Sequence, residues 1–259
     1  MTKNTKSITE EEDVISSVLK KVNNVLAIYL SGSRLNRFNL VKTDYDLLII
    51  IKENAHHLIT GGLNRRRENF NTEKFNIPID AKVYSGTQFA RLIIKPTPVS
   101  LEPLFMKPLY VSEDFQKNAD LLYSDEFQKE LLHNDMNNFF KASFSFLRGL
   151  EHVVEEPGFT IWKESKSMLQ AMKYFRYLDD IIQYGTLKTV RTPTVEELAF
   201  KKKIVDQTVN KEDYLKIIKQ LQQKELAIKK YIDQHDIITK KQEINYDDYL
   251  RFIILGAEN

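Results

Sequence analysis

Short apolar runs bounded by turns dominate the first part of the chain. Three of them, over residues 25–30, 47–51 and 77–84, have the length and composition of buried strands. Gly32 follows the first run, and the pattern there predicts a strand, a glycine turn, a short helix and a second strand. The stretch over 53–76 is polar and contains a double glycine, which predicts a flexible connection before the third strand.

Apolar residues recur at helical spacing before the first strand and throughout the second half of the chain. Thr9 and Glu12 have the spacing of a capping box, which marks the first turn of a helix. Thr194 and Glu197 mark another helix start in the same way. The other predicted helices cover residues 87–94, 124–132, 134–152, 161–184 with Gly185 as the C-cap, 210–232 and 246–255.

Strand-like and helical patterns occupy different parts of the chain. Strand-like runs are confined to the first part, and helical patterns take over from Ser124. We therefore predict a mixed α/β (α+β) fold, with a sheet domain over residues 1–120 and an α-helical domain over residues 121–259 packed on it. The sequence shows no internal repeat and no low-complexity linker between them, which favours a single body.

Composition describes a globular protein with nearly balanced charge. Hydrophobic residues make up 42% of the chain, charged residues make up 29%, and the formal net charge is +2. This balance argues against a surface that coats nucleic acid, although it permits a local basic patch. The chain has no cysteine, which excludes disulfides and thiolate metal sites. It has no run of transmembrane length and no signal-peptide pattern, so we expect a cytoplasmic protein without a membrane partner.

Two aspartates lead into the second predicted strand. Because side chains alternate along a strand, Asp44 and Asp46 point in the same direction. Their like charges repel each other, at a cost that falls when they share a cation, and carboxylate oxygens suit Mg²⁺. Gly32 lets the backbone approach a ligand closely, and the N–H groups of the following helix can cradle a phosphate. A phosphate cradle beside a magnesium site predicts phosphoryl or nucleotidyl transfer.

A glycine–serine turn, an Asp-x-Asp pair and a third aspartate on a later strand resemble the signature of the DNA polymerase β nucleotidyltransferase superfamily. These elements are Gly32-Ser33-Arg34, Thr43-Asp44-Tyr45-Asp46 and Asp80. The sequence around Asp80, the segment 98–105 and the segment 166–185 are similar to a phage and bacterial branch of predicted nucleotidyltransferases, some of them encoded beside RNA ligases. The resemblance covers roughly residues 25–190.

The resemblance implies a polymerase-β-like sheet and a metal-dependent transfer of a nucleoside monophosphate from a nucleoside triphosphate to an acceptor hydroxyl. It implies that Asp44, Asp46 and Asp80 are catalytic and hold two Mg²⁺ ions, or Mn²⁺ in their place. Gly32, Ser33 and Arg34 would bind the nucleotide. For Arg34 the alternative is an ion pair with surface acids. Glu102 matches a family position, and we expect it to stabilise the loop beside the metal site.

Basic residues form two further candidate contacts. Lys166, Lys173 and Arg176 lie on one stripe of the predicted helix over 161–184, and the resemblance places this stripe against nucleotide phosphates or an RNA backbone. Arg65-Arg66-Arg67 could contact a nucleic acid or the triphosphate. For both sets the alternative is a solvated helix face.

Three functions remain open at the level of the sequence. The first is nucleotidyl transfer to an RNA end, either a transfer RNA or a broken RNA under repair. The second is modification of a protein or a small molecule, as in toxin and antibiotic-modifying members of the superfamily. The third is a nucleotide-binding or partner-binding module that has lost catalysis, against which the presence of all three acids argues. The sequence predicts neither the preferred base nor the oligomeric state.

Overall fold

The computed structural model describes residues 9–38, 44–52, 66–94, 102–155 and 161–235. Its strands are β1 (Val25–Leu30), β2 (Tyr45–Ile51), β3 (Arg66–Asn71), β4 (Pro78–Ser85) and β5 (Tyr110–Val111). Its α-helices are α1 (Glu10–Lys21), α2 (Gly32–Leu35), α3 (Gly86–Ile94), α4 (Gln116–Tyr123), α5 (Asp125–Glu155), α6 (Ile161–Tyr184), α7 (Val195–Val205) and α8 (Lys211–His235). Single 3₁₀ turns lie at Glu102–Phe105 and Glu113–Phe115.

The five strands form one sheet in the order β3-β4-β2-β1-β5. Strands β2 and β4 are parallel, and the other neighbouring pairs are antiparallel. A parallel pair needs a crossover connection, and here the chain between β2 and β4 also supplies the edge strand β3. The register of the parallel pair places Asp46 directly beside Asp80.

Side-chain alternation gives the sheet two buried faces. Leu47 and Ile49 of β2 belong to a hydrophobic cluster with α1. Leu48 and Ile50 belong to a second cluster, which includes the helices of the C-terminal half. Because successive strand residues point to opposite faces, Asp46 lies on the face of Leu48 and Ile50. Its carboxylate is therefore directed toward the side of the sheet that the helical half covers.

The helix ends form where their capping residues predict. The Glu12 N–H donates to Thr9 Oγ1, and the Thr9 N–H donates back to the Glu12 carboxylate at 2.8 Å. The same reciprocal pair forms between Thr194 and Glu197 at the start of α7. Gly185 adopts a φ of 66° just after α6, which is the left-handed conformation of a helix C-cap.

The mixed α/β fold with a helical C-terminal half is confirmed, but four elements differ from the sequence predictions. One of them is α4, which lies just before Ser124 and was not predicted. Residues 66–71 form β3 instead of part of a flexible connection, and this edge strand exposes most of its side chains and so lacks an apolar pattern. The helices predicted over 124–132 and 134–152 are one helix, α5, because no glycine or proline lies between them. The two-residue strand β5 was not predicted, since it is too short to show a period.

Within the described ranges, the last strand ends at Val111 and only helical elements follow. The domain boundary at residue 120 stays a prediction. None of the helices in these ranges is both long and apolar enough to cross a bilayer. The helix predicted over 246–255, the double glycine Gly61-Gly62 and Arg65 lie outside the described residues.

Candidate functional site

A cavity of about 400 Å³ lies between the sheet and α6. The Gly32 turn, Asp44 and Asp46 line one side, and Lys166 and Lys173 of α6 line the opposite side. The structure thus brings the aspartate pair, the glycine turn and two of the three helix cations to one place. The cavity is also lined by Ser33, Asn36, Lys82 and Glu102.

Glycine at position 32 allows the turn to lie directly against Asp46. The φ of Gly32 is 64°, in the left-handed region, and a Cβ atom placed there would lie 2.0 Å from Asp46 Oδ2. The Ser31 N–H donates to the Asp46 carbonyl oxygen at 2.8 Å, which ties the turn to β2. Any side chain at position 32 would therefore displace either the turn or the carboxylate.

The environment of Asp46 disfavours the ionised form of its carboxylate. Burial raises the pKa of Asp46 above its ordinary value, and the charges of Asp44 and Asp80 raise it further. The Lys82 ammonium and the Ser33 N–H, which donates to this carboxylate, act in the opposite direction but do not cancel the shift. Mutual repulsion among the three acids is a cost that a bound cation would relieve.

Asp80 lies beside Asp46 but is held by an arginine of the edge strand. Arg67 donates from Nε to Asp80 Oδ1 at 2.7 Å and from Nη2 to Asp80 Oδ2, in the two-pronged geometry typical of arginine and carboxylate. Across the part of the chain that the structure describes, no three acidic or histidine side chains are arranged to hold a metal ion. The third aspartate is satisfied by a guanidinium instead.

The donor set at the cavity still fits a hard divalent cation. Asp44 and Asp46 both line the cavity, and carboxylate oxygens are ligands that Mg²⁺ prefers. Mg²⁺ is commonly bound by one or two carboxylates, with water and substrate phosphates completing its coordination.

Arg34, predicted to bind the nucleotide, packs against the protein. Its guanidinium carbon lies 3.9 Å from the centre of the Tyr45 ring, and its Nε donates to the Asp44 carbonyl oxygen at 3.2 Å. Its Nη1 lies 3.6 Å from Glu10 Oε2. These contacts correspond to the surface-pairing alternative for this residue.

Two of the predicted helix cations are neutralised inside the protein. Lys173 Nζ lies 2.8 Å from Glu102 Oε2, and the two side chains are 3% and 1% exposed. Arg176 Nε donates to both carboxylate oxygens of Glu197 at 3.0 Å, and its Nη1 donates to Thr189 Oγ1 at 2.8 Å. Arg176 lines a different cavity, between α6, α7 and α8. The structure therefore does not bring Arg176 to the aspartates.

Lys82 is a cation of the cavity that sequence reasoning missed. It follows Asp80 by two positions in β4, so both side chains lie on the same face of the strand. Neither Lys82 nor the exposed Lys166 has an ion-pair partner within the ranges that the structure describes. The signal for Lys82 was present in the sequence, because the alternation that relates Asp44 to Asp46 also relates Asp80 to Lys82.

Comparisons with known proteins do not identify the function of the chain. No family model matches the sequence, and no curated protein matches it. Among solved structures, the chain is similar to a nucleotidyltransferase-like protein from Exiguobacterium sibiricum 255-15. The TM-score is 0.33 and the identity is 9%, with 97% of this chain and 81% of that chain covered. A likeness this weak carries no argument about fold or function.

Proposed function

We propose that the protein is a metal-dependent nucleotidyltransferase, which moves a nucleoside monophosphate from a nucleoside triphosphate to an acceptor hydroxyl. One observation carries the proposal: a single cavity combines the acids Asp44 and Asp46 with the cations Lys82 and Lys166. Paired acids suit metal-assisted attack on a phosphorus atom, and cations suit the phosphate oxygens around it. Acids that repel each other destabilise the fold, so their presence in one cavity favours a functional role over a purely structural one.

The cations of the cavity hold the triphosphate in this proposal. Lys82 on the sheet and Lys166 on α6 attract phosphate oxygens from two sides, and the Ser33 side chain adds a hydrogen bond at the turn. Asp44 and Asp46 hold Mg²⁺, which when bound neutralises phosphate charge and lowers the pKa of the attacking hydroxyl. Asp80 is paired with Arg67 and takes part only after that arginine moves.

For the acceptor we propose an RNA end, either of a transfer RNA or of a broken strand. The support is the resemblance of the motif-bearing sequence to nucleotidyltransferases encoded beside RNA ligases. A single RNA end also agrees with the small net charge of +2, because it needs few phosphate contacts.

Transfer of label tests the function and the acceptor together. The purified protein is incubated with Mg²⁺, RNA and each of the four α-³²P-labelled nucleoside triphosphates in turn. We expect one nucleotide to label RNA, and we expect the Asp44→Asn/Asp46→Asn double variant to transfer none. Label on the protein or on a small molecule would replace RNA as the acceptor. Failure of all four nucleoside triphosphates to label RNA, protein or a small molecule in the presence of Mg²⁺ would overturn the proposed function.

A further inference from the structure

A buried polar network joins α6 to the Gly32 turn. The Asn36 Nδ2 donates to the Gly32 carbonyl oxygen at 2.9 Å. The Tyr177 hydroxyl lies 2.7 Å from Asn36 Oδ1 and 2.9 Å from Glu102 Oε2, so it can donate to either oxygen. Lys173 closes the network through its ion pair with Glu102. These four side chains are at most 3% exposed.

The buried charge of Glu102 keeps Lys173 from turning toward a triphosphate. A carboxylate and an ammonium that are both buried need each other, because removing one leaves an uncompensated charge in a region of low dielectric constant. If Lys173 turned toward a triphosphate, Glu102 would remain buried without its counter-charge. Lys82 and Lys166 have no ion pair to give up within the described ranges and are better placed to take the phosphates.

The geometry also shows where the network acts. The Asn36 amide holds the Gly32 carbonyl, and Gly32 in turn lies against the Asp46 carboxylate. The Asn36 amide is oriented at its oxygen by the Tyr177 hydroxyl, which comes from a different element of the fold, and at its nitrogen by a second, longer donation to Glu102 Oε2 at 3.4 Å. A shift of α6 would therefore be passed through two side chains to the turn beside the carboxylates.

We infer that Tyr177, Asn36 and the Glu102–Lys173 pair are positioning residues that fix the Gly32 turn for the triphosphate. Lys173 contributes by balancing Glu102 and not by touching the triphosphate. This inference rests on the proposed function, because it assigns the turn to the triphosphate. It differs from the sequence expectation, in which Lys173 binds the nucleotide directly.

Tyr177→Phe removes the hydroxyl that orients Asn36 and leaves the ring in place. Tyr29→Phe is the matched control, because Tyr29 is also buried and its hydroxyl has no hydrogen-bond partner in the described structure. We expect Tyr177→Phe to weaken binding of the preferred Mg²⁺–nucleoside triphosphate about tenfold and to raise its KM accordingly, with kcat changed less. Tyr29→Phe should leave both parameters unchanged. Equal nucleotide affinity for the wild type and Tyr177→Phe would overturn the inference.

A second experiment separates positioning from direct contact at Lys173. Lys173→Met alone leaves the Glu102 charge buried and unpaired, so we expect a large drop in melting temperature. Combining it with Glu102→Gln removes that charge and keeps an oxygen that accepts from Tyr177. The double variant should recover most of the melting temperature and most of the nucleotide affinity.

The outcomes distinguish this inference from the proposed function. A double variant that recovers its melting temperature but not its nucleotide affinity would show direct contact between Lys173 and the triphosphate, and the inference would be wrong. A wild-type protein that binds no nucleoside triphosphate would end the proposed function as well. Binding by the wild type with recovery in the double variant supports both.

Discussion

At the scale of single residues, the cavity depends on a close approach between a backbone and a carboxylate. Gly32 has no side chain to separate the turn from Asp46, and its left-handed φ of 64° would strain any other residue. A side chain at position 32 would therefore suffer both backbone strain and collision with Asp46. Gly185 allows the two effects to be separated, because it has nearly the same φ of 66° but no atom within 4 Å of the position that a Cβ would take.

Gly32→Ala and Gly185→Ala separate strain from collision. Each variant should lose about 1 kcal/mol or more of stability from the left-handed conformation alone. Gly32→Ala should also lose binding of Mg²⁺–nucleoside triphosphate, because its methyl group would collide with the Asp46 carboxylate. Thermal melts and calorimetry with the nucleotide measure the two effects. Equal nucleotide affinity in the two variants would contradict a role for the contact between the turn and Asp46.

Asp46→Asn tests whether the acid serves the reaction or the fold. We expect transfer activity to fall by several orders of magnitude, while the melting temperature stays the same or rises slightly, because a repelling charge is removed. Asp180→Asn is the structural control. Asp180 is buried and accepts from the backbone N–H groups of Lys188 and Thr189 at 2.9 and 2.7 Å, so its loss should lower the melting temperature. A similar fall for Asp46→Asn would make that acid structural.

The sequence predicted where the acids and the turn lie better than it predicted where the cations lie. Asp44 and Asp46 follow from alternation along one strand, and Gly32 from the turn that precedes it. The fate of a lysine or arginine on a helix depends on whether a distant segment brings an acid to it. Arg176 meets Glu197, 21 residues later, and no periodicity within the helix signals that pair.

At the scale of elements, a buried acid ties α1 to the sheet, in addition to the apolar contacts of that helix. Asp13 of α1 is fully buried, and its Oδ2 accepts from the N–H groups of Lys74 and Phe75 at 2.9 and 3.0 Å. These two residues lie in the turn between β3 and β4. Burial alone would raise the pKa of Asp13, but the two backbone N–H groups, the Thr72 side chain and the charge of Lys74 together outweigh it and hold the pKa below its ordinary value of 3.8.

Asp13→Ala should cost about 2 kcal/mol at neutral pH, since two N–H groups lose a charged acceptor. A carboxylate whose pKa is lowered by folding stabilises the native state above its ordinary pKa and loses this effect as the pH falls through the lowered value. The stability difference between the wild type and the variant should therefore shrink as the pH falls below 3.8. Urea unfolding across an acid pH series measures it. A difference that does not vary with pH would show that the charge of Asp13 is not responsible.

The edge strand β3 contributes an ion pair between Arg67 and Asp80 beside the site. Arg67 occupies the Asp80 carboxylate, whereas the preceding Arg66 pairs with Glu68 at 2.6 Å. Removing a cation from a carboxylate increases its attraction for another cation. We expect Arg67→Ala to bind Mn²⁺ several-fold more tightly than the wild type by calorimetry, and Arg66→Ala to bind it equally. Weaker Mn²⁺ binding by Arg67→Ala would mean that Arg67 supports the cation site instead of competing for it.

Element prediction succeeded where burial is strong and failed where it is weak. The apolar run over 25–30 matches β1 residue for residue, because both faces of that strand are covered. Strand β3 has mostly exposed polar side chains, and its pairing with β4 is determined by backbone hydrogen bonds that leave no apolar pattern. Its contribution to the site, through Arg67, was hidden for the same reason.

At the scale of the whole molecule, sheet and helices share one hydrophobic cluster. Leu48 and Ile50 of β2 lie in it together with Phe127 and Leu147 of α5 and Tyr177 of α6. The cavity lies along the same junction, with the acids on the sheet and Lys166 and Lys173 on the helix. Neither half can present the complete site alone.

A fragment that ends at residue 120 tests this dependence. It would expose the apolar face of β2 that the helices cover in the full chain. We expect the fragment to unfold without a cooperative transition and to bind a hydrophobic dye, whereas the full chain melts cooperatively. Circular dichroism and dye fluorescence record the difference. A cooperative melt of the fragment would show that the sheet folds independently of the helical half.

The network at Asn36 also sets an order of events on the ribosome. The β2–β4 pair can form once residue 85 has emerged, and this is enough to place Asp46 beside Asp80. The Asn36 amide must wait for Tyr177, which is synthesised 141 residues later. Because the N-terminal part of a chain can begin to fold during synthesis, the nascent sheet carries its acids well before its turn is locked. The hydrogen bond between Asn36 and Tyr177 can form only after most of the protein has been made.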